Sequence, residues 1–99
     1  MTDDRATAPG DGLRLAYKAA ARSVAEAAEP GAAFAAATGL VHAADEVVGE
    51  AAVLRAAMAL RIMQEERLSL SQLAERIGTS KSRADQLIRI ARERAKESG

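Results

Sequence analysis

Residues 68–96 read LSLSQLAERIGTSKSRADQLIRIARERAK, a stretch in which two amphipathic segments flank a short turn. Apolar side chains recur at helical spacing in the first segment, at Leu73, Ala74 and Ile77. Gly78 follows at the position where this helix should end, and glycine tolerates the positive φ that a helix end often requires. Ser80 then stands where an N-cap side chain accepts a hydrogen bond from the next turn. The pattern predicts two helices, over about 70–77 and 80–96, joined by a tight turn.

The second segment has one apolar stripe and one polar face. The stripe consists of Ala84, Leu87, Ile88, Ala91 and Ala95. The opposite face carries Lys81, Ser82, Asp85, Gln86, Arg89, Arg92 and Lys96. Ala74 is small where two steeply crossing helices approach each other, and Gly78 follows four positions later. This combination is typical of a helix-turn-helix.

Composition limits both the core and the chemistry. Alanine accounts for 25 of the 99 residues, so we expect one small domain with a thin core that oligomerisation would supplement. The chain has no cysteine and only one histidine, His42, which rules out disulfides, thiol nucleophiles and a histidine-based metal site. We therefore expect no enzyme activity, no metal and no cofactor, and we expect DNA or protein rather than a small-molecule substrate as the partner.

The hydropathy profile predicts a cytoplasmic protein. No apolar stretch reaches the roughly 20 residues of a membrane span, and the acidic start MTDD is unlike a signal peptide. Charge is unevenly distributed along this neutral chain. Residues 1–50 hold eight acids and four bases, for a net charge of −4, whereas residues 51–99 hold ten bases and six acids, for a net charge of +4. Positive charge concentrated on one element indicates a polyanion binder, so we expect double-stranded DNA as a partner and a location at the nucleoid.

The N-terminal half is predicted to begin with a tail and one helix. Residues 1–12 lack periodicity and contain proline and glycine, so we interpret them as disordered. Residues 13–29 are predicted to be helical and to end before Pro30. The apolar stripe of this helix consists of Leu13, Ala16, Tyr17, Ala20, Val24 and Ala27.

Residues 32–67 keep helical periodicity throughout. One apolar line runs through Phe34, Ala37, Val41, Ala44, Val48 and Ala51. A second alternates spacings of four and three, like a coiled-coil seam, at Leu40, Ala44, Val47, Ala51, Leu54 and Met58. Gly39 and Gly49 interrupt the run, each at a cost of up to about 1 kcal/mol. The sequence leaves two alternatives open, a break or kink near Gly49 or one long helix stabilised by a partner chain, and of these we favour two helices in succession.

The C-terminal half is predicted to be a three-helix unit. A helix over 51–67 precedes the motif, and Ser69 with Gln72 three residues later fits a capping box at the start of the next helix. The predicted fold is all-α, a helical bundle with a C-terminal tri-helical helix-turn-helix. Its parts are a tail at 1–12, N-terminal helices for dimerisation or partner docking at 13–50, and a DNA-binding unit at 51–97.

Residues 53–95 resemble the bacterial tri-helical helix-turn-helix domains, most closely the C-terminal promoter-reading domain (region 4) of sigma factors and small sigma-like regulators. The matching positions are Leu73, Ala74, Gly78, Ser80, Gln86, Arg92, Arg94 and Lys96. Three positions depart from that pattern: Thr79 and Ala84 stand where bulkier apolar residues are usual, and Asp85 where a base is frequent. The first two thin the core between the motif helices. Asp85 either accepts from a cytosine amine or pairs with Arg89 four residues later.

For a DNA-bound helix-turn-helix we predict two groups of contacts. Base edges are read by Lys81, Ser82, Asp85, Gln86 and Arg89. Phosphates are held by Ser69, Ser71, Arg83, Arg92, Arg94 and Lys96. The predicted dimer or partner seam is formed by Leu40, Ala44, Val47 and Leu54.

Three functional hypotheses fit the sequence. The first is a small sequence-specific DNA-binding regulator of transcription that acts as a homodimer on an operator. The second is an interaction module whose N-terminal helices dock a larger protein while the motif never contacts DNA. The third is an accessory DNA binder of a plasmid or an integrated element.

Overall fold

The computed structural model describes residues 8–98, and all regular structure in this range is helical. The helices are α1 (Pro9–Ala25), α2 (Pro30–Glu65), α3 (Leu70–Ile77) and α4 (Lys81–Ser98). An all-α fold is therefore confirmed. None of these helices combines the length and the hydropathy needed to cross a membrane.

Both ends of α1 differ from the prediction. The helix begins at Pro9 rather than Leu13, because proline at the first helical position lacks only a donor that would be unpaired there anyway. The remainder of the predicted tail, residues 1–7, lies outside the described residues. The helix ends at Ala25, so Pro30 starts the next helix instead of stopping this one. Glu29 caps that start, since its Oε1 accepts from the amide of Ala32 at 2.7 Å.

Helix α2 is continuous, so the predicted break near Gly49 was wrong. Gly39 and Gly49 are both helical, and the space beside each is empty to 4 Å. Each glycine costs only about 1 kcal/mol in a helix interior. A break would cost several backbone hydrogen bonds, and the sequence EAAVL after Gly49 contains none of the preferred N-cap residues.

The chain divides into two compact units, residues 1–45 and 46–99. In the described part of the first unit, α1 and the beginning of α2 bury no side chain fully. The half-buried residues are Gly10, Ala20, Ala21 and Val24 on α1, and Ala33, Ala37 and Leu40 on α2. The predicted α1 stripe is thus only partly covered, since Leu13 and Tyr17 stay exposed.

The second unit contains a small apolar core. Its buried residues come from three helices: Ala56 and Ala59 of α2, Leu73 and Ala74 of α3, and Ala84, Leu87, Ile88 and Ala91 of α4. Leu60, Ile62, Met63, Leu68, Leu70 and Ile77 pack around them. Leu73 is fully buried and is the largest such side chain in residues 8–98. The predicted apolar faces of α3 and α4 therefore point inward, except that Ala95 is exposed, whereas Leu54 and Met58 of the second α2 line are exposed.

Candidate nucleic-acid interface

Helix α3 starts with the predicted capping box. The Ser69 hydroxyl accepts from the Gln72 amide at 3.1 Å, and the Gln72 side chain accepts from the Ser69 amide at 2.8 Å. Two backbone donors that the helix cannot satisfy itself are paired in this way. This reciprocal bonding fixes where α3 begins.

The connection from α3 to α4 is a glycine-dependent turn. Gly78 has φ 73° and ψ 40°, a left-handed conformation that side-chain-bearing residues rarely adopt. The Gly78 amide donates to the Glu75 carbonyl at 3.3 Å and the Thr79 amide donates to the Ala74 carbonyl at 2.9 Å. These bonds satisfy the last carbonyls of α3 and turn the chain within three residues. The predicted role of Gly78 is confirmed.

Helix α4 is anchored at its start and buries one side. The Ser80 hydroxyl accepts from the Arg83 amide at 3.0 Å, so the predicted N-cap is confirmed. Ala84 is completely buried, and Leu87, Ile88 and Ala91 are nearly so. The opposite side is polar and, apart from the half-buried Asp85, open to solvent from Lys81 to Lys96. The first two turns therefore present a fixed row of polar side chains.

The five predicted base-reading residues share this open side. Lys81, Ser82, Gln86 and Arg89 are exposed and Asp85 is half-buried. Three of the five, Asp85, Gln86 and Arg89, bond to side chains on the same helix. Arg89 forms an ion pair with Asp85, which is one of the two alternatives that the sequence left open for this aspartate.

Gln86 is also held, by an interaction that the sequence analysis missed. Arg83 Nη1 donates to Gln86 Oε1 at 3.1 Å. Reading adenine takes both the amide oxygen and the amide nitrogen of a glutamine. Arg83 would therefore have to release the oxygen when Gln86 pairs with a base. The three-residue spacing of the two side chains was the available signal.

The predicted phosphate-binding residues fall into two groups. Ser71, Arg92 and Lys96 are exposed, and Ser69 is exposed although its oxygen also serves the capping box. The half-buried Arg83 and the exposed Arg94 line shallow depressions between α4 and the C-terminal part of α2. Arg94 also lies 3.8 Å from the Glu97 carboxylate. The structure thus places these two arginines at the edge of the polar side rather than at its centre.

A bidentate ion pair ties α3 to the end of α2. Arg76 Nε and Nη2 donate to the two carboxylate oxygens of Glu66 at 3.0 and 3.1 Å. The hydrogen bond and then the charge of Glu66 raise the pKa of the Arg76 guanidinium. Arg67 next to it has φ 56°, a left-handed conformation in a residue with a side chain. Residues ten apart carry no local sequence signal, so the analysis of periodicity could not find this pair.

Thr79 lines an open depression of about 330 Å³ in the second unit. The residues around it include Met58, Ile62, Ile77 and Leu87, with Arg55 and Arg83 as the charged members. A bulkier apolar residue at position 79 would fill part of this space. In residues 8–98 no cluster of three or more potential metal ligands occurs.

The predicted seam residues differ in exposure. Leu40 is half-buried in the first unit, while Ala44 is exposed there. In the second unit Val47 is 40% exposed and Leu54 61% exposed. The seam therefore stays a prediction.

Comparison with protein-family models, with curated proteins and with solved structures found no match to this chain.

Proposed function

We propose that the chain is a small sequence-specific DNA-binding regulator of transcription that acts at the nucleoid. In this proposal α3 and α4 form a sigma-like helix-turn-helix, and α4 is the recognition helix. The observation that carries it is the open polar side of the first turns of α4. Lys81, Ser82, Gln86 and Arg89 stand there in solvent, opposite a buried face that fixes their orientation.

Electrostatics support the same function. From Lys81 to Lys96, α4 carries six bases and two acids. Helices that enter the major groove approach two phosphate backbones, so cationic side chains beside the base-reading row stabilise the complex. Arg92 and Lys96 are exposed and suited to this role. Lys81 or Arg89 suits guanine and Gln86 suits adenine.

The fixed arrangement of α3 and α4 also supports sequence-specific recognition of DNA, for which a flexible charged segment is less suited. The capping box at Ser69 and the turn at Gly78 hold α3 and α4 in one arrangement. Arg89 is restrained by its ion pair with Asp85 before any ligand arrives. Restraint of this kind lowers the entropy lost on binding.

The experiment that tests this function is selection of binding sites from randomised DNA duplexes with the full chain. An enriched sequence is expected. Gln86→Ala and Arg89→Ala should each weaken binding to it by about tenfold or more, because a bidentate base contact is worth about 1–3 kcal/mol.

Matched controls show whether the loss of binding depends on the position of the substituted glutamine or arginine. Gln64→Ala and Arg14→Ala remove the same side chains from exposed positions on α2 and α1, and binding should stay within about twofold of wild type. A library that yields no enriched sequence would contradict the proposal.

The alternative is a protein-interaction module, favoured by the large apolar side chains that α1 and α2 expose. Under that function Gln86→Ala and Arg89→Ala are silent. Substitutions on α2, such as Leu40→Asp or Val47→Asp, would then abolish capture of the partner protein.

A further inference from the structure

A depression in the second unit is lined by apolar side chains next to the core. It has a volume of about 330 Å³, near the lower end of the roughly 300–1,000 Å³ that small-molecule sites occupy. Helix α2 lines it with Met58 and Ile62, and α3 and α4 add Ile77 and Leu87. Leu87 is buried, Ile62 and Ile77 are half-buried, and Met58 is exposed. This feature, which we name the Thr79 depression after the turn residue that also lines it, offers apolar surface that a ligand can cover.

Two arginines line the Thr79 depression without a carboxylate beside them. Arg55 belongs to α2 and is exposed, and Arg83 belongs to α4 and is half-buried. None of the described residues that line the depression is acidic. Within residues 8–98 neither guanidinium forms an ion pair, although Arg83 Nη1 donates to Gln86 Oε1 at 3.1 Å. Because each guanidinium carries five N–H donors, both arginines keep donors for an anionic ligand.

A second depression in the same unit has its arginines paired. Its volume is about 240 Å³, and Arg61 of α2 and Arg94 of α4 line it. Arg61 Nε donates to Glu65 Oε2 at 2.9 Å, and Arg94 Nε lies 3.8 Å from the Glu97 carboxylate. These carboxylates offset part of the positive charge there. The Thr79 depression keeps the charge of both its arginines and is therefore the better anion site of the two.

We infer that the Thr79 depression binds a small carboxylate with an apolar body. The carboxylate accepts hydrogen bonds from the guanidiniums of Arg55 and Arg83, and the apolar body covers Met58, Ile62 and Ile77. The planar fork of an arginine matches the two oxygens of a carboxylate, which makes it suited to this ligand. A cation with the same apolar body would meet two like charges, which opposes its binding.

Thr79 keeps the depression open. Its side chain is half-buried and lines the depression, at a position where the helix-turn-helix pattern that this chain resembles has a bulkier apolar residue. Isoleucine at this position would occupy part of the space that the ligand needs. The residue at position 79 thus determines whether a ligand has room to bind.

A titration of the ¹⁵N-labelled full chain with sodium octanoate, followed by NMR, tests the inference. The amides of Met58, Ile62, Ile77 and Thr79 should shift along one saturable curve. A dissociation constant of about 1 mM or lower is expected for a ligand of about ten non-hydrogen atoms. Octylammonium, which has the same chain length and the opposite charge, should bind at least about tenfold more weakly. Sodium chloride at equal concentration is the blank.

Substitution of the arginines tests the contribution of charge. Arg55→Gln together with Arg83→Gln should remove the preference for octanoate over octylammonium, because the two positive charges are lost. Arg61→Gln makes the same change on α2 at the second depression and is the matched control. It should leave the octanoate affinity within about twofold of wild type.

Substitution of Thr79 tests the contribution of space. Thr79→Ile should weaken octanoate binding by about fivefold or more, because the larger side chain excludes the apolar body. Thr79→Ser leaves the space open and should keep the affinity within about twofold of wild type. Backbone amide spectra of both variants show whether the fold is kept, so a loss of binding is not mistaken for a loss of structure.

Three results would overturn the inference: octanoate shifts that are absent, unsaturable or centred on the second depression; equal binding of octanoate and octylammonium to wild type; or a folded Thr79→Ile variant that binds octanoate as tightly as wild type. The inference is independent of DNA binding. A chain that binds octanoate but selects no DNA sequence would support it while removing the proposed function. A chain that selects a DNA sequence but does not bind octanoate would do the reverse.

Discussion

The two compact units use similar helices but differ in what they bury. Among the described residues of the unit from Glu46 onward, eight side chains are buried, and they come from all three helical segments. In residues 8–45 there are none. Both units are rich in alanine, so alanine alone does not explain the difference. The second unit has Leu73, Leu87 and Ile88 where its helices meet, whereas the first unit turns Phe34, Val41 and Tyr17 to solvent.

The comparison shows that an amphipathic pattern defines a helix but does not make a core. A helix contributes to stability through the apolar area that it removes from water, and alanine removes little. The second unit has a buried apolar core beneath the open side of α4. The described part of the first unit leaves its largest apolar side chains in solvent.

The largest expected effect comes from shortening a buried side chain in the core of the second unit. Leu73→Ala removes a side chain with no exposure and should destabilise the chain by about 2–5 kcal/mol, a large part of the stability of a small domain. Urea unfolding followed by circular dichroism measures the change. Leu15→Ala is the matched substitution in the first unit and should stay within about 0.5 kcal/mol of wild type. Equal losses for the two leucines would break the comparison.

The next effect in size separates a turn glycine from a helix glycine. Gly78→Ala puts a side chain at φ 73° and should cost about 1–2 kcal/mol. Gly49→Ala meets no atom within 4 Å inside α2 and should stabilise the chain by up to about 1 kcal/mol. The midpoints of thermal unfolding should therefore move in opposite directions. A Gly78→Ala variant as stable as wild type would show that Gly78 does not require its left-handed conformation, and a Gly49→Ala variant that loses stability would contradict the account of α2.

The smallest expected effect concerns the end of α2. Arg67 has φ 56°, and its amide and that of Leu68 close the last turn by donating to Gln64 and Met63. Arg67→Gly should raise stability by about 0.5 kcal/mol. Removing the side chain relieves steric strain at this positive φ, and that gain outweighs the greater conformational entropy of glycine in the unfolded chain. Arg61→Gly, six residues earlier within α2, should lower it by about 1 kcal/mol. Differential scanning calorimetry resolves the two signs, and a loss of stability for both variants would contradict this account of Arg67.

Sequence reasoning worked best where local chemistry decides the structure. The bounds of α3, the Ser69–Gln72 capping box, the left-handed Gly78 and the buried stripe of α4 all depend on residues within a few positions of each other. The same reasoning failed at Pro30, since proline can end one helix or begin the next, and only the Glu29 side chain settles which. It also favoured a helix break at Gly49, where α2 is continuous, because a glycine that costs only about 1 kcal/mol in a helix interior was interpreted as the end of the helix.

The sequence predicted which side chains lie on the open side of α4, but not the hydrogen bonds and ion pairs that they form. The five side chains that we predict to read bases do share the open side of α4, as the periodicity of residues 80–96 indicates. The bond between Arg83 and Gln86 depends on rotamers, and the pair formed by Arg76 and Glu66 joins residues that only the packed helices bring together. Exposure of Leu13 and Tyr17 could not be predicted either, because a stripe does not reveal whether another helix covers it.

The central claim, that the open side of α4 binds DNA, is tested most directly by the salt dependence of binding to random-sequence duplex, measured by fluorescence anisotropy. About six phosphate contacts per dimer predict a slope of log K against log salt of roughly −5. Arg92→Ala should flatten that slope by roughly 2, since one contact is lost in each subunit, while Arg14→Ala should leave it unchanged. No binding at low salt, or an Arg92→Ala slope equal to that of wild type, would contradict the claim.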